Sequence, residues 1–304
     1  MIFCIINIIA FENLYKQRFL SYFMRQKPTN HESYWGVIRR IVEESDLVLE
    51  ILDSRLVELS RNEEVEAIVE EIGRPLIYVV NKSDLVSKES LNKQVEKLKE
   101  KGSVVFISAK SPKSTKVLLY AIKKAFKKYG KREIVERGKF DPKPIYREAK
   151  GEIVVGILGY PNVGKSSIIN ALAHKKKVKV SKKSGTTHGI HWVKASDEIK
   201  LIDSPGVIPL KKDDEVRYGL IGAKDTERLK NPELVVHAIV ELFLKNNVRA
   251  FEKFYKIEVK GLDVYEIIEK IGLRKSYLLK GGKIDENRVF LDIIRDWQQG
   301  RLGL

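Results

Sequence analysis

The chain has 304 residues and a formal net charge of +16, from 57 Lys and Arg against 41 Asp and Glu. That length suits two domains and a short appendage, and so large a positive excess favours a polyanionic partner, most economically a nucleic acid, over the balanced surface of a heat-adapted protein. Cys4 is the only cysteine and the five His residues show no metal-ligand spacing, which excludes a disulfide framework or thiolate metal site within one chain and fits a reducing cytoplasm.

Residues 1–30 stand apart. Met1 to Phe11 is nearly all apolar, yet it lacks the leading positive charge and small-residue cleavage site of an export signal. It also falls short of the roughly 18 apolar residues of a membrane span. The second of two Met residues, Met24, sits just before the first patterned segment. Residues 1–23 are therefore expected to be a non-essential extension, with a short anchoring or docking helix as the alternative.

Tyr34, Val37, Ile38 and Ile41 then recur at helical spacing. Apolar runs at 47–52, 76–80, 104–107, 153–158 and 199–202 end in short polar loops, as buried parallel strands do, and 190–195 suggests a further strand. Helical patterns lie between them at 63–72, 91–101, 116–129 and 165–173. This alternation predicts an α/β sheet with helices on both faces. Residues 130–151 are charged, contain Pro142 and Pro144, and read as a linker. Beyond Gly206 the pattern becomes helical. Val235, Ala238, Ile239 and Leu242 form one stripe after Asn231 and Pro232. Val264, Ile267, Ile268 and Ile271 form another between Asp263 and Gly272, and Phe290, Ile293, Ile294 and Trp297 a third after Asp285. These are core stripes with no chemistry assigned.

Several strand ends carry polar motifs. Asn81-Lys82-Ser83-Asp84 follows the second strand and Ser108-Ala109-Lys110 the third. Gly159-Tyr160-Pro161-Asn162-Val163-Gly164-Lys165-Ser166 follows the fourth, with Thr186-Thr187 and Asp203-Ser204-Pro205-Gly206 later. A phosphate loop needs glycines so that backbone N–H groups can turn onto an anion, a Lys to reach the β- and γ-phosphates, and a hydroxyl for Mg2+. Gly159, Gly164, Lys165 and Ser166 meet that spacing, with Asn162, Val163 and Ser167 in the same cradle, and a helix opening at Lys165 adds a favourable dipole. Asp203 is placed to hold Mg2+ through water, and the Gly206 N–H can sense the γ-phosphate. Thr187 is the expected switch hydroxyl of the Mg2+ shell, with Thr186 the runner-up.

Base choice falls to Asp84, whose carboxylate can accept two hydrogen bonds from guanine N1–H and the 2-amino group. Adenine presents an acceptor there and would leave the charge unpaired. Asn81 supports the base and its loop, the Lys82 stem covers one ring face, and the Ala109 N–H, between Ser108 and Lys110, can meet O6. Each motif alone is an ordinary turn. At the carboxyl ends of parallel strands, where ligands gather in open α/β sheets, they complement one another.

Their order is unusual, because an ordinary GTPase places the phosphate loop first and the base-reading loops last. The expected fold is a doubly wound α/β P-loop GTPase sheet, circularly permuted, with a C-terminal all-α domain. The GTPase domain is expected at 31–210, with a linker at about 130–151, and the helical, RNA-contacting domain at 211–304. The motif order, Leu52-Asp53-Ser54-Arg55, and an ending from Gly281-Gly282-Lys283-Ile284-Asp285 to Gly300-Arg301-Leu302-Gly303 carry a resemblance. From about Tyr34 onward the chain resembles the ribosome-biogenesis GTPase A (YlqF-type) family. That resemblance implies hydrolysis of GTP to GDP coupled to assembly of a large ribosomal subunit through contact with ribosomal RNA. It also implies that Asn162 helps bind a potassium ion that substitutes for an arginine finger. A cytoplasmic monomer without stable membrane association is expected.

Hydrolysis is where the pattern departs. Many GTPases orient the attacking water with a Gln after Asp-x-x-Gly, but here Val207 and Ile208 follow. Similar family members have a His in a Pro-Gly-His-Met stretch, whereas this chain reads Tyr34-Trp35-Gly36-Val37-Ile38. His31 and His188 are nearby candidates, but a surface or structural role explains each of them better. Slow turnover that needs potassium and a partner is expected. Lys175, Lys176, Lys177, Lys179, Lys182 and Lys183 crowd the segment before Thr187 and could couple nucleotide state to RNA affinity. Lys123, Lys124, Lys127, Lys128, Lys131 and Arg132 end a helix, where a solvated face is an open alternative. Two other functions stay open: a GTPase in another RNA or membrane-associated process, and a guanine-nucleotide-dependent RNA-binding protein with vestigial hydrolysis.

Overall fold

A computed structural model of the protein describes residues 34–132, 153–173, 191–204 and 214–304. Six strands form one sheet: β1 (Leu47–Asp53), β2 (Leu76–Asn81), β3 (Ser103–Phe106), β4 (Ile153–Leu158), β5 (His191–Lys194) and β6 (Ile199–Asp203), in spatial order β3-β2-β1-β4-β6-β5. All neighbours are parallel except β5, which runs antiparallel to β6. The apolar runs are continuous because central strands are covered on both faces; every residue of β1 and β4 is buried.

The covering helices are α1 (Tyr34–Glu44), the short α2 (Val57–Ser60), α3 (Glu63–Ile72), α4 (Lys88–Lys101), α5 (Pro112–Tyr129) and α6 (Lys165–Leu172). α3 starts where the Asn62 side chain accepts the Val65 N–H and stops at left-handed Gly73, a start and stop each supplied by local chemistry. Residues 37–304 form one compact unit; of the other, residues 1–36, only Tyr34–Gly36 are described, as the start of α1.

The segment 133–152 lies outside the described residues, but its two flanks meet on one carboxylate. Asp46 Oδ1 accepts from the Arg132 N–H and Nη1, each at 3.0 Å, and Oδ2 accepts the Val154 N–H at 2.7 Å. The end of α5 and the start of β4 are thereby held together across the link that permutation introduces.

Five helices follow the sheet: α7 (Glu215–Leu220), α8 (Pro232–Asn246), α9 (Val248–Tyr255), α10 (Val264–Arg274) and α11 (Glu286–Gln298). Their core gathers Val236, Ile239, Phe243, Phe251, Ile271 and Trp297. The expected stripe on α8 is displaced: Ala238 and Leu242 are only partly buried, while Val236, Val240 and Phe243 are fully so. Gly272 does not end α10. It lies inside the helix, where an added Cβ would fall 2.6 Å from Ile284 Cγ2, so it is a close-packing residue. Asp263 does cap α10, in a reciprocal capping box with Glu266. Among the described residues no helix is long and apolar enough to cross a membrane.

Candidate functional site

β1 and β4 are neighbours at the centre of the sheet, yet β1 leads on to β2 and β4 pairs with β6 on the other side. Their carboxyl ends diverge into the crevice where open α/β sheets take ligands. Gly159 leaves β4 with φ 140°, and an added Cβ would sit 2.6 Å from the Ile51 carbonyl of β1. Gly164 precedes α6 with φ 104°, and its Cβ would land on the Asn81 side-chain amide. Only glycine allows this approach of loop to neighbouring strands. Asn162 and Lys82 also have positive φ, two of the four such non-glycine residues among those described. Two strained backbone positions thus sit at this crevice.

Asn81 fastens the loops together. From the end of β2 its buried amide donates to the Val163 carbonyl at 2.8 Å, and its Oδ1 accepts the Ala109 N–H at 3.2 Å. The loops containing residues 81, 109 and 163 thus meet on one side chain. Asp84 stands in the short turn Ser83–Leu85, partly exposed, with Lys110 Nζ at 3.3 Å from its carboxylate. Burial would raise its pKa, but the Ser108 hydroxyl, a local backbone N–H and Lys110 hold it below the ordinary value. An ionised acceptor therefore stands at the mouth of the crevice.

Lys165, first in α6, is buried, and its ammonium donates to the Gly159 and Tyr160 carbonyls at 2.8 and 2.9 Å. Desolvation pulls its pKa down to about 8, with Asp203 opposing. Asp203 ends β6, and neither of its buried carboxylate oxygens has a hydrogen-bond partner among the described residues. Burial pushes its pKa up to about 6, against the pull of Lys165 and His191. A buried carboxylate without partners is costly, and two oxygens aimed at no donor suit a hydrated divalent cation. Ser166 and Ser167 are half-buried in the first turn of α6.

Sequence reasoning missed a second layer. Lys82 Nζ lies 2.7 Å from Asp53 Oδ2, and Arg55 binds the same carboxylate through Nε at 3.0 Å and Nη2 at 2.8 Å. Burial would raise the Asp53 pKa, but Arg55 and Lys82 hold it well below the carboxylate range. Burial lowers the Lys82 pKa, with Asp53 opposing and Arg55 adding to the fall. The Arg55 guanidinium stacks 4.0 Å from the Trp297 ring centre and donates to the Trp297 carbonyl. Trp297 Nε1–H in turn donates to the Leu220 carbonyl at 2.6 Å. On the phosphate-loop side, Asn162 donates its amide to the Gly222 carbonyl at 2.6 Å, and Gln298 donates to the Gly219 and Lys224 carbonyls at 3.0 and 3.2 Å. The segment 219–224, from the end of α7 into the turn after it, is held between the loop after β4 and the end of α11. His191, opposite Asp203 in the β5–β6 register, was also not singled out. Its only signal is its place in a predicted strand.

The expected residues Thr186, Thr187, Pro205, Gly206, Val207, Ile208, His31 and His188, with the lysines at 175–183, lie outside the described residues. Among the described residues no group of three His, Cys, Asp or Glu could hold a metal.

The family model described as 50S ribosome-binding GTPase matches residues 154–270. A GTP-binding protein of Methanocaldococcus jannaschii is 37% identical over 88% of the chain and 65% of its own length. Ribosome biogenesis GTPase A of Bacillus cereus is 29% identical over 85% of the chain and 84% of its length. The chain spans less than two thirds of the first of these, and about half of nucleolar GTP-binding proteins that it also matches. Among solved structures, GDP-bound YlqF of T. maritima superposes with a TM-score of 0.56 at 23% identity, over 88% of this chain and 95% of that one.

Proposed function

We propose that the chain, whose fold is that of a circularly permuted P-loop GTPase and which is similar to ribosome biogenesis GTPase A, hydrolyses GTP to GDP as a switch in large-subunit assembly, binding ribosomal RNA. The carrying observation is Asn81, which joins the phosphate loop to both base-reading loops across the sheet's central crevice. In this reading Asp84 selects guanine, Lys82 covers the ring, and Ala109, between Ser108 and Lys110, meets O6. The backbone of Asn162, Val163 and Gly164 cradles the phosphates with Lys165, Ser166 and Ser167.

Mg2+ would be held by Ser166, Asp203 through water, and Thr187, and when bound it neutralises charge developing on the phosphates. The two oxygens of Asp203, without partners among the described residues, support that assignment. A potassium ion would take Asn162 Oδ1, since the amide nitrogen already serves Gly222. Lys165 is drawn from the loop carbonyls toward the arriving β- and γ-phosphates, which restores its full charge in a site that depresses it. With Val207 and Ile208 after Gly206, no side chain there orients water, so turnover by the protein alone is slow.

The working division is a GTPase domain at 31–210 and an RNA-contacting helical domain at 211–304, in a cytoplasmic monomer. Ordering of Thr187 and Gly206 by GTP would reposition the helices that follow and raise affinity for a pre-ribosomal particle. Supporting the coupling, the segment 219–224 already touches the phosphate loop through Asn162 and the base-reading loop through Trp297, Arg55, Asp53 and Lys82.

Single-turnover GTP hydrolysis tests the reading, measured in sodium and in potassium, with and without large-subunit precursors. Slow hydrolysis in sodium, raised by potassium and again by the particle, is the expected result. Fast hydrolysis in sodium alone, or equal affinity for adenosine and guanosine nucleotides, refutes it.

A further inference from the structure

The outer face of α5 stands apart from the rest of the described surface. The helix carries Lys113, Lys116, Lys123, Lys124, Lys127 and Lys128 and not one carboxylate in its 18 residues. Its inner face, Thr115, Leu118 and Ile122, is buried, whereas all six lysines are exposed. Val117 and Tyr120 are exposed too, at 53% and 70%. Steps of four and three put Lys113, Val117, Tyr120, Lys124 and Lys127 in one line, about 21 Å long, with the remaining lysines beside it.

A plain solvated face would read differently, and α4 shows how. Its 14 residues hold five lysines interleaved with three glutamates, the mixture that stabilises an exposed helix. On α5 the pairs Lys123–Lys127 and Lys124–Lys128 repel at i,i+4 spacing, which destabilises the helix. Lys127 and Lys128 are in the last turn, where the helix dipole favours them, but Lys113 is in the first, where it does not. Among the described residues, the only carboxylate that an α5 lysine reaches is Glu198, 2.5 Å from Lys123. A row of uncompensated cations flanking an exposed aromatic ring matches a chain of phosphates with stacking bases. A lipid surface fits less well, because an interfacial helix inserts a broad apolar face, and that of α5 is packed inside the protein.

We propose that the outer face of α5 is an RNA-binding surface, its lysines on successive phosphates and Tyr120 stacked on a base. This rests on the ribosomal-RNA reading above and adds a contact on the sheet domain.

The test uses the full chain and large-subunit ribosomal RNA stripped of protein, with Kd measured across a salt series. Replacing Lys116, Lys124 and Lys127 together by Gln is expected to flatten the slope of log K against log salt by about 2. Tyr120→Ala is expected to weaken binding by at least about fivefold with the slope unchanged. A control replacing Lys93, Lys97 and Lys101 of α4 by Gln should leave the slope alone, and unchanged GDP affinity in every variant verifies folding. An unaltered slope in the α5 variant, with the wild type binding RNA, overturns this proposal alone. A wild type that binds no RNA overturns both this and the RNA part of the function. Capture by phosphatidylserine vesicles without RNA binding would make the face a membrane contact and end the proposal.

Discussion

Asp53 Oδ2 and Lys82 Nζ stand 2.7 Å apart, and this contact joins the base-reading loop to the C-terminal helices, because the same carboxylate holds Arg55 against Trp297. Lys82 is thus fixed from below before any base arrives, in a left-handed backbone conformation that a lysine seldom adopts. Asp53→Asn leaves two cations facing each other with their partner gone. A stability loss of about 3–5 kcal/mol is expected in chemical denaturation, together with weaker GDP binding. Lys82→Met keeps the Asp53–Arg55 pair, so it should weaken GDP binding with far less effect on stability. Equal stability losses in the two variants would show that Arg55 alone does not satisfy Asp53.

Asp84 offers a prediction about specificity. An amide at this position can donate one hydrogen bond and accept another, which suits the 2-carbonyl and N1–H of xanthine in place of guanine. Asp84→Asn is therefore expected to cut GDP affinity by about 100-fold or more and to bind XDP more tightly than GDP. Calorimetric titration with both nucleotides checks it, and retention of the guanine preference would remove Asp84 from the base contact.

The sheet and the motif residues were legible because both are local signals. Strands buried on two faces are unbroken apolar runs, and α3 matches residues 63–72 from cap to stop because Asn62 and Gly73 are adjacent to its ends. α7 and α9 escaped because six and eight residues are too short a run to stand out as helices. The eight residues of α9 bury only Phe251 and Tyr255, a single i,i+4 pair, and its start rests on Asn247 accepting the Ala250 N–H. The phosphate and base motifs could be read because each is contiguous. The layer beneath could not, since Arg55 and Trp297 are 242 residues apart and neither carries a local cue to the other. Leu52-Asp53-Ser54-Arg55 was noticed only as resemblance, although a buried acidic residue at a strand end followed by Arg is the trace such a pair leaves.

Lys165 links pH to nucleotide affinity. In the free protein its pKa is about 8, while contact with phosphates requires the ammonium. Above pH 8 each binding event must take up a proton, so GDP affinity should fall by up to about tenfold per pH unit until the bound-state pKa is reached. Below pH 8 this residue imposes no dependence. The sign for stability is opposite. A folded pKa below the unfolded value penalises the charged form, a penalty fully present below pH 8 and relieved as pH rises toward the unfolded pKa. Lys165→Met should stabilise the nucleotide-free protein at pH 7 by about 1–3 kcal/mol, the range allowing for its two lost carbonyl contacts, while abolishing GDP binding. A pH-independent affinity between 7 and 9.5, or a destabilised Lys165→Met, contradicts the assignment.

Gly164 and Asn81 test how the loops are fastened. An alanine at 164 would need φ near 104° and would drive its methyl into the Asn81 amide. Asn81 could move aside only by giving up the Val163 carbonyl and the Ala109 N–H. Gly164→Ala is expected to abolish GDP binding and cost about 2–4 kcal/mol, from the strained backbone and the displaced bonds together. Asn81→Ala should cost about 2 kcal/mol by leaving buried backbone groups unpaired. In the double variant the clash is gone, so the loss should fall short of the sum by more than about 0.5 kcal/mol. Strict additivity in that cycle would mean that the two residues do not press on each other, and the strain would then belong to the backbone of Gly164 alone.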